Sequence, residues 1–318
     1  MKTNIKFAQN LKKYLCFSGI IIIVGIICNI IFGVTLDIQF SGGTIVSYTY
    51  SGSIDENEIK DYVQEITEAT VSTQISANMA VGQNENAGDY TVSIQFSGDK
   101  ALPPETQKTI TTSLQEKFPD NDFNLYESTS VEATMGVMFL LKCLVAVLIA
   151  AVIMVIYVAI RFRNIGGWSA GCMALVALAL DIITVYFMFV ILRFPIDSNF
   201  MAVILMIIGY SLNDTIVIYD RVRENRRLMG RHASDADVYN TSANQMFKRT
   251  IFTSLTTVMA IGTVLAVVLV YHINSVQTFA LPMMIGVVHG CYSSNCIAGP
   301  LWVKWQERKA DKKAKARA

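Results

Sequence analysis

Residues 201–219 read MAVILMIIGYSLNDTIVIY, an apolar run as long as a helix needs to cross a bilayer, with the carboxylate of Asp214 set inside it. A carboxylate at that depth costs about 3 kcal/mol on insertion scales. Such a residue is retained chiefly where it carries a proton, holds an ion or pairs with a buried cation. Its surroundings are polar as well: Tyr210, Ser211, Asn213 and Thr215 flank it, and Asp220, Arg221, Arg223, Glu224 and Asn225 follow at the far end. The stretch predicts a membrane protein that handles ions within the membrane.

The rest of the 318 residues fits that class, with 53% hydrophobic and only 16% charged. Six stretches could span the hydrocarbon as transmembrane helices: 16–36, 134–160, 168–192, 200–219, 251–271 and 279–303. A polar block, 37–133, separates the first two and is long enough for one folded domain. All but six of the 26 basic residues lie in 1–15, 161–163, 220–250 and 304–318, the exceptions being Lys60, Lys100, Lys108, Lys117, Lys142 and Arg193. The positive-inside rule then puts both termini and the 220–250 loop in the cytoplasm and the block outside, in a multi-pass protein of the cytoplasmic (inner) membrane. The basic tail, with Arg308, Lys309, Lys312, Lys313, Lys315 and Arg317, reads as an orientation signal that touches anionic membrane lipids. So short a basic run does not call for nucleic acid. Lys142, near the outer end of its span, is expected to snorkel. The first span is too long for a signal-peptide core and ends at a poor cleavage site, Leu36-Asp37, so it is expected to stay as an anchor. The six cysteines all fall in or beside spans and read as small packing residues rather than a disulfide framework.

Within the outside block, Ile38 and Phe40, then Val46, Tyr48 and Tyr50, alternate around Gly42-Gly43, predicting a strand with a bulge or a close backbone approach. Ser53 and Glu56 form a capping box ahead of Ile59, Tyr62, Val63 and Ile66 at helical spacing. Val71 to Met79 and Tyr90 to Phe96 alternate as two further strands, with a hairpin loop at 82–89 between them. Pro103-Pro104 opens a second helix carrying Ile110, Leu114 and Phe118, and a last strand begins at Phe123. This βαββαβ order predicts an α+β ferredoxin-like extracytoplasmic domain between helices 1 and 2 of a polytopic α-helical membrane protein. The block has no His or Cys and no nucleophile–base set, so neither an enzyme nor a metal or cofactor site is expected. Its excess of acidic residues reads as solvation.

Three runs carry a resemblance: Asp37-Ile-Gln-Phe-Ser-Gly-Gly-Thr44, GYSLNDTIVIYDRVREN at 209–225, and RTIFTSLTT at 249–257. They are similar to the D-F-x-G-G-T that opens the exported domain, the G-Y-S-x-N-D-T-V-V-x-x-D-R-x-R-E-N run and the R-T-x-x-T-S-x-T-T run of SecF-type members of the SecD/SecF family. These are bacterial protein-export subunits within the resistance-nodulation-division superfamily. The second run is highly specific; a lone G-G-T would not be. Two places depart from the family pattern. Its third span usually carries His before Asp, whereas here the run is Ala177-Leu-Ala-Leu180-Asp181. The last span reads GVVHGCYSSNC at 286–296, with His289 and Asn295 where the family is small or apolar.

Spacing places Asp214 about 9 Å of helix from the end of its span at Arg221, and Arg249 begins the next span at that same face. A buried carboxyl whose distance from a guanidinium varies can take up and give up a proton as the two part and meet. Thr253, Thr256 and Thr257 continue from Arg249 as a polar stripe on one face. Asp214 and Arg249 are therefore the expected ion-transfer pair, with Ser211, Asn213, Thr215, Thr253, Thr256, Thr257 and Asp181 in support. For Asp181, a buried hydrogen-bonding role and ion transfer both stay open. Asp220, Arg221, Arg223 and Glu224 read as an ion-pair network at the membrane boundary, Asp37, Gly42, Gly43 and Thr44 as the opening of the exported domain, and Gly209, Gly262 and Gly286 as points of close helix contact. The resemblance implies coupling of proton or sodium entry to late preprotein translocation, beside a SecD-like subunit and the SecYEG channel with its ATPase. The alternatives are a half-size exporter of small molecules or lipids, and an assembly factor in which Asp214 only pairs structurally.

Overall fold

In the computed structural model, residues 5–67, 69, 71–77, 90–97, 102–230, 232–270 and 274–315 are described. The predicted loop at 82–89, together with Met79, Lys100, Arg317 and the end of the 251–271 stretch, lies outside them. Long helices dominate: α1 (Leu11–Phe32), α5 (Ala133–Arg161), α6 (Gly167–Leu192), α7 (Ser198–Met229) and α8 (Asp235–Val270). These five are long and apolar enough to cross a membrane. Large apolar side chains stand exposed along α1, α5 and α8, among them Ile30, Leu148 and Met259. In water such faces would be a liability; in lipid they are the solvated surface. The chain is a multi-pass membrane protein.

The 279–303 stretch is not one uniform helix. It is built from α9 (Asn274–Ser293), a π-helical turn at Ser294–Ala298 and the start of α10 (Gly299–Lys315). A π turn disturbs the i→i−4 ladder and sets carbonyls free. Two buried tyrosines pick these up: Tyr239 Oη donates to Asn295 O at 2.7 Å and Tyr219 Oη to Ala298 O at 3.3 Å. A Cβ on Gly299 would fall 1.9 Å from the Tyr239 ring, so glycine is what lets that ring reach the turn. The predicted 220–250 loop is likewise mostly helix. α7 runs on to Met229 and α8 starts at Asp235, because Arg226 ties the connection together through Asp235 and through Ala233 O.

Between α1 and α5 the order is α2 (Ile38–Ser41), β1 (Gly43–Tyr50), α3 (Glu56–Thr67), β2 (Val71–Ala77), β3 (Tyr90–Ser97), α4 (Pro104–Lys117) and β4 (Asn124–Val131). The strands form one antiparallel sheet in the order β2-β3-β1-β4. Period-two alternation puts Val46 against Ile94 and Tyr48 against Val92 on one face, where Ile59 and Val63 of α3 and Ile110 and Leu114 of α4 close the core. Two expectations are corrected. Ile38 and Phe40 are not strand: Asp37 accepts from Gln39 N at 2.9 Å and caps the single turn of α2, so β1 starts only at Gly43. The close approach at Gly43 is real, since a Cβ there would sit 2.2 Å from Phe96 O, but the ladder irregularity lies farther on, between Ser47 and Tyr48. The cap of α3 is Asp55, which accepts from Asn57 N at 2.9 Å, not Ser53.

Close helix contact is found at Gly286, where a Cβ would lie 2.1 Å from Ile207 of α7. Gly209 and Gly262 instead have open space beside them, so neither brings helices together among the described residues.

Candidate functional site

Asp214 lies mid-way along α7, 2% exposed, and its Oδ2 has no hydrogen-bond partner among the described residues. Buried acceptors are normally paired, so an orphaned carboxylate oxygen marks a place for a proton or another ligand. The neighbouring wall comes from α8 and α9. Thr250 and Ser254 of α8 are buried, and the Cys291 thiol of α9 lies beside both of them and within electrostatic range of Asp214. Tyr210 Oη donates to Ser254 Oγ at 3.3 Å. Asn295 Nδ2 donates to Thr250 Oγ1 at 3.3 Å and to Cys291 O at 2.8 Å, while its own Oδ1 is a second buried acceptor without a partner among the described residues.

A second polar cluster adjoins it. Asp181 of α6 is 0% exposed; its Oδ2 accepts from Ser211 Oγ at 2.6 Å and from Ser293 Oγ at 2.9 Å, and its Oδ1 lies 2.7 Å from His289 Nδ1. The other ring nitrogen of His289 is 3.3 Å from Thr184 Oγ1, which donates to Leu180 O at 2.9 Å. Thr215 Oγ1 donates to Ser294 Oγ at 3.0 Å, and Ser294 Oγ donates to Ser211 O at 2.9 Å. Among the described residues no group of three or more His, Cys, Asp or Glu could hold a metal ion.

The predicted residues therefore divide. Ser211, Thr215, Asp181 and Asp214 are buried within this region. Asn213 is exposed on the outer face of α7. Arg249 is exposed too and makes no ion pair with Asp214 among the described residues, although its charge acts on the carboxylate. It lines a cleft of about 620 Å³ with Arg161, Arg227, Met246 and the residues at the end of α7. Thr253 and Thr256 turn back onto their own helix, donating to Arg249 O and Phe252 O, and Thr257 donates to Thr253 O. The polar face of α8 that meets the core is offset by one residue, about 100° around the helix, to Thr250 and Ser254. Asp220 lies 3.1 Å from Arg161 and 3.0 Å from Arg223, and Arg221 pairs with both Glu224 and Gln245. Lys142 is exposed.

The opening motif forms a joint. Thr44 Oγ1 meets Ser130 Oγ and accepts from Leu102 N, each at 2.9 Å, and Gln95 Nε2 donates to Asp37 Oδ2 at 3.3 Å. Asp37 N donates to Ile196 O at 3.1 Å, Ile196 N to Thr35 O at 2.9 Å, and Ser198 bonds Gln39, so the motif is sewn to the loop between α6 and α7. Asp197 caps α7 through Phe200 N at 3.0 Å; burial raises its pKa, and the nearby Asp37 adds to that. A Cβ on Gly136 of α5 would lie 2.9 Å from Phe40 O, and Phe40 stacks on Phe139 at 5.5 Å.

His289, Ser293, Ser294, Asn295, Thr184, Thr250 and Ser254 were not among the expected site residues. The polar run in an otherwise apolar last span was the signal for four of them.

Comparison with known proteins agrees with this architecture. Residues 109–308 match the family described as protein export membrane protein SecD/SecF, C-terminal. The chain belongs to the SecD/SecF family. The protein translocase subunit SecF of Calditerrivibrio nitroreducens is 32% identical, over 94% of this chain and 93% of that protein. The protein translocase subunit SecDF of Bacillus subtilis is 30% identical over 96% of this chain, which spans only 39% of that longer protein. In fold, the chain is similar to the crystal structure of SecDF, a translocon-associated membrane protein, from Thermus thermophilus, with a TM-score of 0.77 at 24% identity, over 96% of this chain and 39% of that one.

Proposed function

We propose that this chain is a SecF-type membrane subunit that couples entry of a proton (or sodium ion) to a late step of preprotein translocation. The observation that carries the reading is Asp214: a buried carboxylate with an oxygen unpartnered among the described residues, mid-way along a membrane helix, in a chain of this family. In this reading Arg249 acts as the partner that meets Asp214 in one state and parts from it in another. The present arrangement, with Arg249 exposed in the cleft, corresponds to the parted state. The cleft and the basic ends of α5 and α7 face the cytoplasm, as do both termini, because basic residues gather there. Six crossings follow if α9 and the start of α10 form the last one. The domain between α1 and α5 is ferredoxin-like in this reading, supported by its β1-α3-β2-β3-α4-β4 order and its β2-β3-β1-β4 sheet.

One charge crossing 100 mV releases about 2.3 kcal/mol, enough to shift a two-state equilibrium nearly fiftyfold. The joint at Asp37 and Asp197 gives such a shift a path from the spans to the outside domain. A SecD-like subunit is the proposed partner, supported by relatives in which a SecDF chain extends far beyond the matched part. The open faces at Gly209, Asn213 and Gly262 are where further helices would seat. SecYEG with its ATPase, the preprotein and anionic lipid complete the proposed surroundings. Export by reconstituted vesicles tests the reading: collapsing the ion gradient with an ionophore should slow the late step, and export indifferent to the gradient would contradict it.

A further inference from the structure

Asp181 and His289, 108 positions apart in sequence, meet at 2.7 Å and are both buried, 0% and 6% exposed. Family resemblance does not account for the contact, because the histidine stands in the last helix rather than beside the aspartate. A purely structural tether between α6 and α9 needs only one hydrogen bond. This site has more. Both oxygens of Asp181 are engaged, and both nitrogens of His289 face oxygen: Nδ1 the carboxylate and Nε2 a hydroxyl whose own hydrogen goes to Leu180 O. The ring can therefore hold two protons with an acceptor for each, or release one and remain bonded.

Hydroxyls connect this pair to the neighbourhood of Asp214. Ser211 Oγ touches Asp181 Oδ2, lies 3.4 Å from Ser294 Oγ, and Ser294 Oγ accepts from Thr215, the residue next to Asp214. Each hydroxyl can receive one proton and pass on its own, so a proton that leaves Asp214 as carboxylate and reaches Thr215 can be handed along Ser294 and Ser211 to the Asp181–His289 pair with nothing else consumed. Titratable groups near the pair include Tyr292, whose ring is 5.6 Å from the His289 ring, and Tyr14 of α1 and Cys296, which pack in the same cluster as Tyr292. Arg249 of α8 and Lys142 of α5 are exposed.

We propose that Asp181 and His289 form a second proton-binding site that exchanges its proton with Asp214. The proposal builds on the reading of α7 as an ion-transfer helix. Its test does not involve export. The full chain, labelled with nitrogen-15 histidine and placed in lipid nanodiscs, carries His289 as its one histidine once His232 and His272 are replaced by glutamine. Its ring resonances should report uptake of one proton across a pH titration. Asp214→Asn is nearly isosteric and removes the exchanging carboxyl, so the pH dependence of the ring resonances should differ between the variant and the parent chain. A ring that keeps one protonation state throughout, or a pH dependence that Asp214→Asn does not change, would overturn the proposal. Gradient-independent export would overturn the reading of α7 and leave an altered pH dependence standing, so the two failures are distinguishable.

Discussion

Glu56, exposed but partly covered, shows how one carboxyl sets a pH dependence in the domain between α1 and α5. Burial raises its carboxyl pKa, and the hydrogen bond from Thr73 at 3.4 Å only partly offsets this. The folded domain therefore binds this proton more tightly than the unfolded chain, and stability falls as pH rises through the window between the ordinary carboxylate value and the raised one. Glu56→Gln keeps an acceptor for Thr73 and loses the charge. It should melt higher than wild type at pH 7, with the difference vanishing as the pH drops below that window. Arg249 raises a different residue-scale question. Its guanidinium and a lysine carry the same charge, but only the planar fork matches a carboxylate, so Arg249→Lys should impair gradient-driven export rather than leave it unchanged. Export and complex recovery measured together check this.

At the scale of elements, the domain 37–133 closes its own core with Tyr48, Ile59, Val63, Val92, Ile94, Ile110 and Leu114. Expressed alone it should unfold cooperatively and be indifferent to reductant, because it contains no cysteine. Gly43→Ala would push a Cβ into Phe96 O at a φ of 139°, so it should lower that stability by about 1–3 kcal/mol in denaturant titrations. Much of this level was legible beforehand. Long apolar runs announce spans, and clean alternation from Tyr90 to Phe96 announces β3. What misled was local ambiguity: Ile38 and Phe40 alternate as a strand does, but the Asp37 cap turns them into a helical turn. The contents of the site were less legible than its location. Asp181 and His289 are joined only by the fold, and the buried face of α8 differs from the predicted stripe by one residue of rotation, which periodicity over so polar a run does not resolve.

Among the long helices, the buried polar groups gather on α6, α7, one face of α8 and the last helices, while α1, α5 and the other face of α8 turn large apolar side chains outward. Asn213 stands exposed among them, a polar group that lipid would not satisfy. This arrangement predicts poor accumulation and no ion-dependent activity for the chain alone, with recovery when a SecD-like subunit is co-expressed; full activity from this chain by itself in liposomes would contradict it. The central claim is that the Asp214 carboxyl carries the coupling ion. Its most direct test is export by reconstituted vesicles under an imposed gradient, comparing wild type with Asp214→Asn at equal recovery of the assembled complex. The account predicts that the variant assembles normally and loses the gradient-dependent part of export. Normal gradient-dependent export by Asp214→Asn would contradict it.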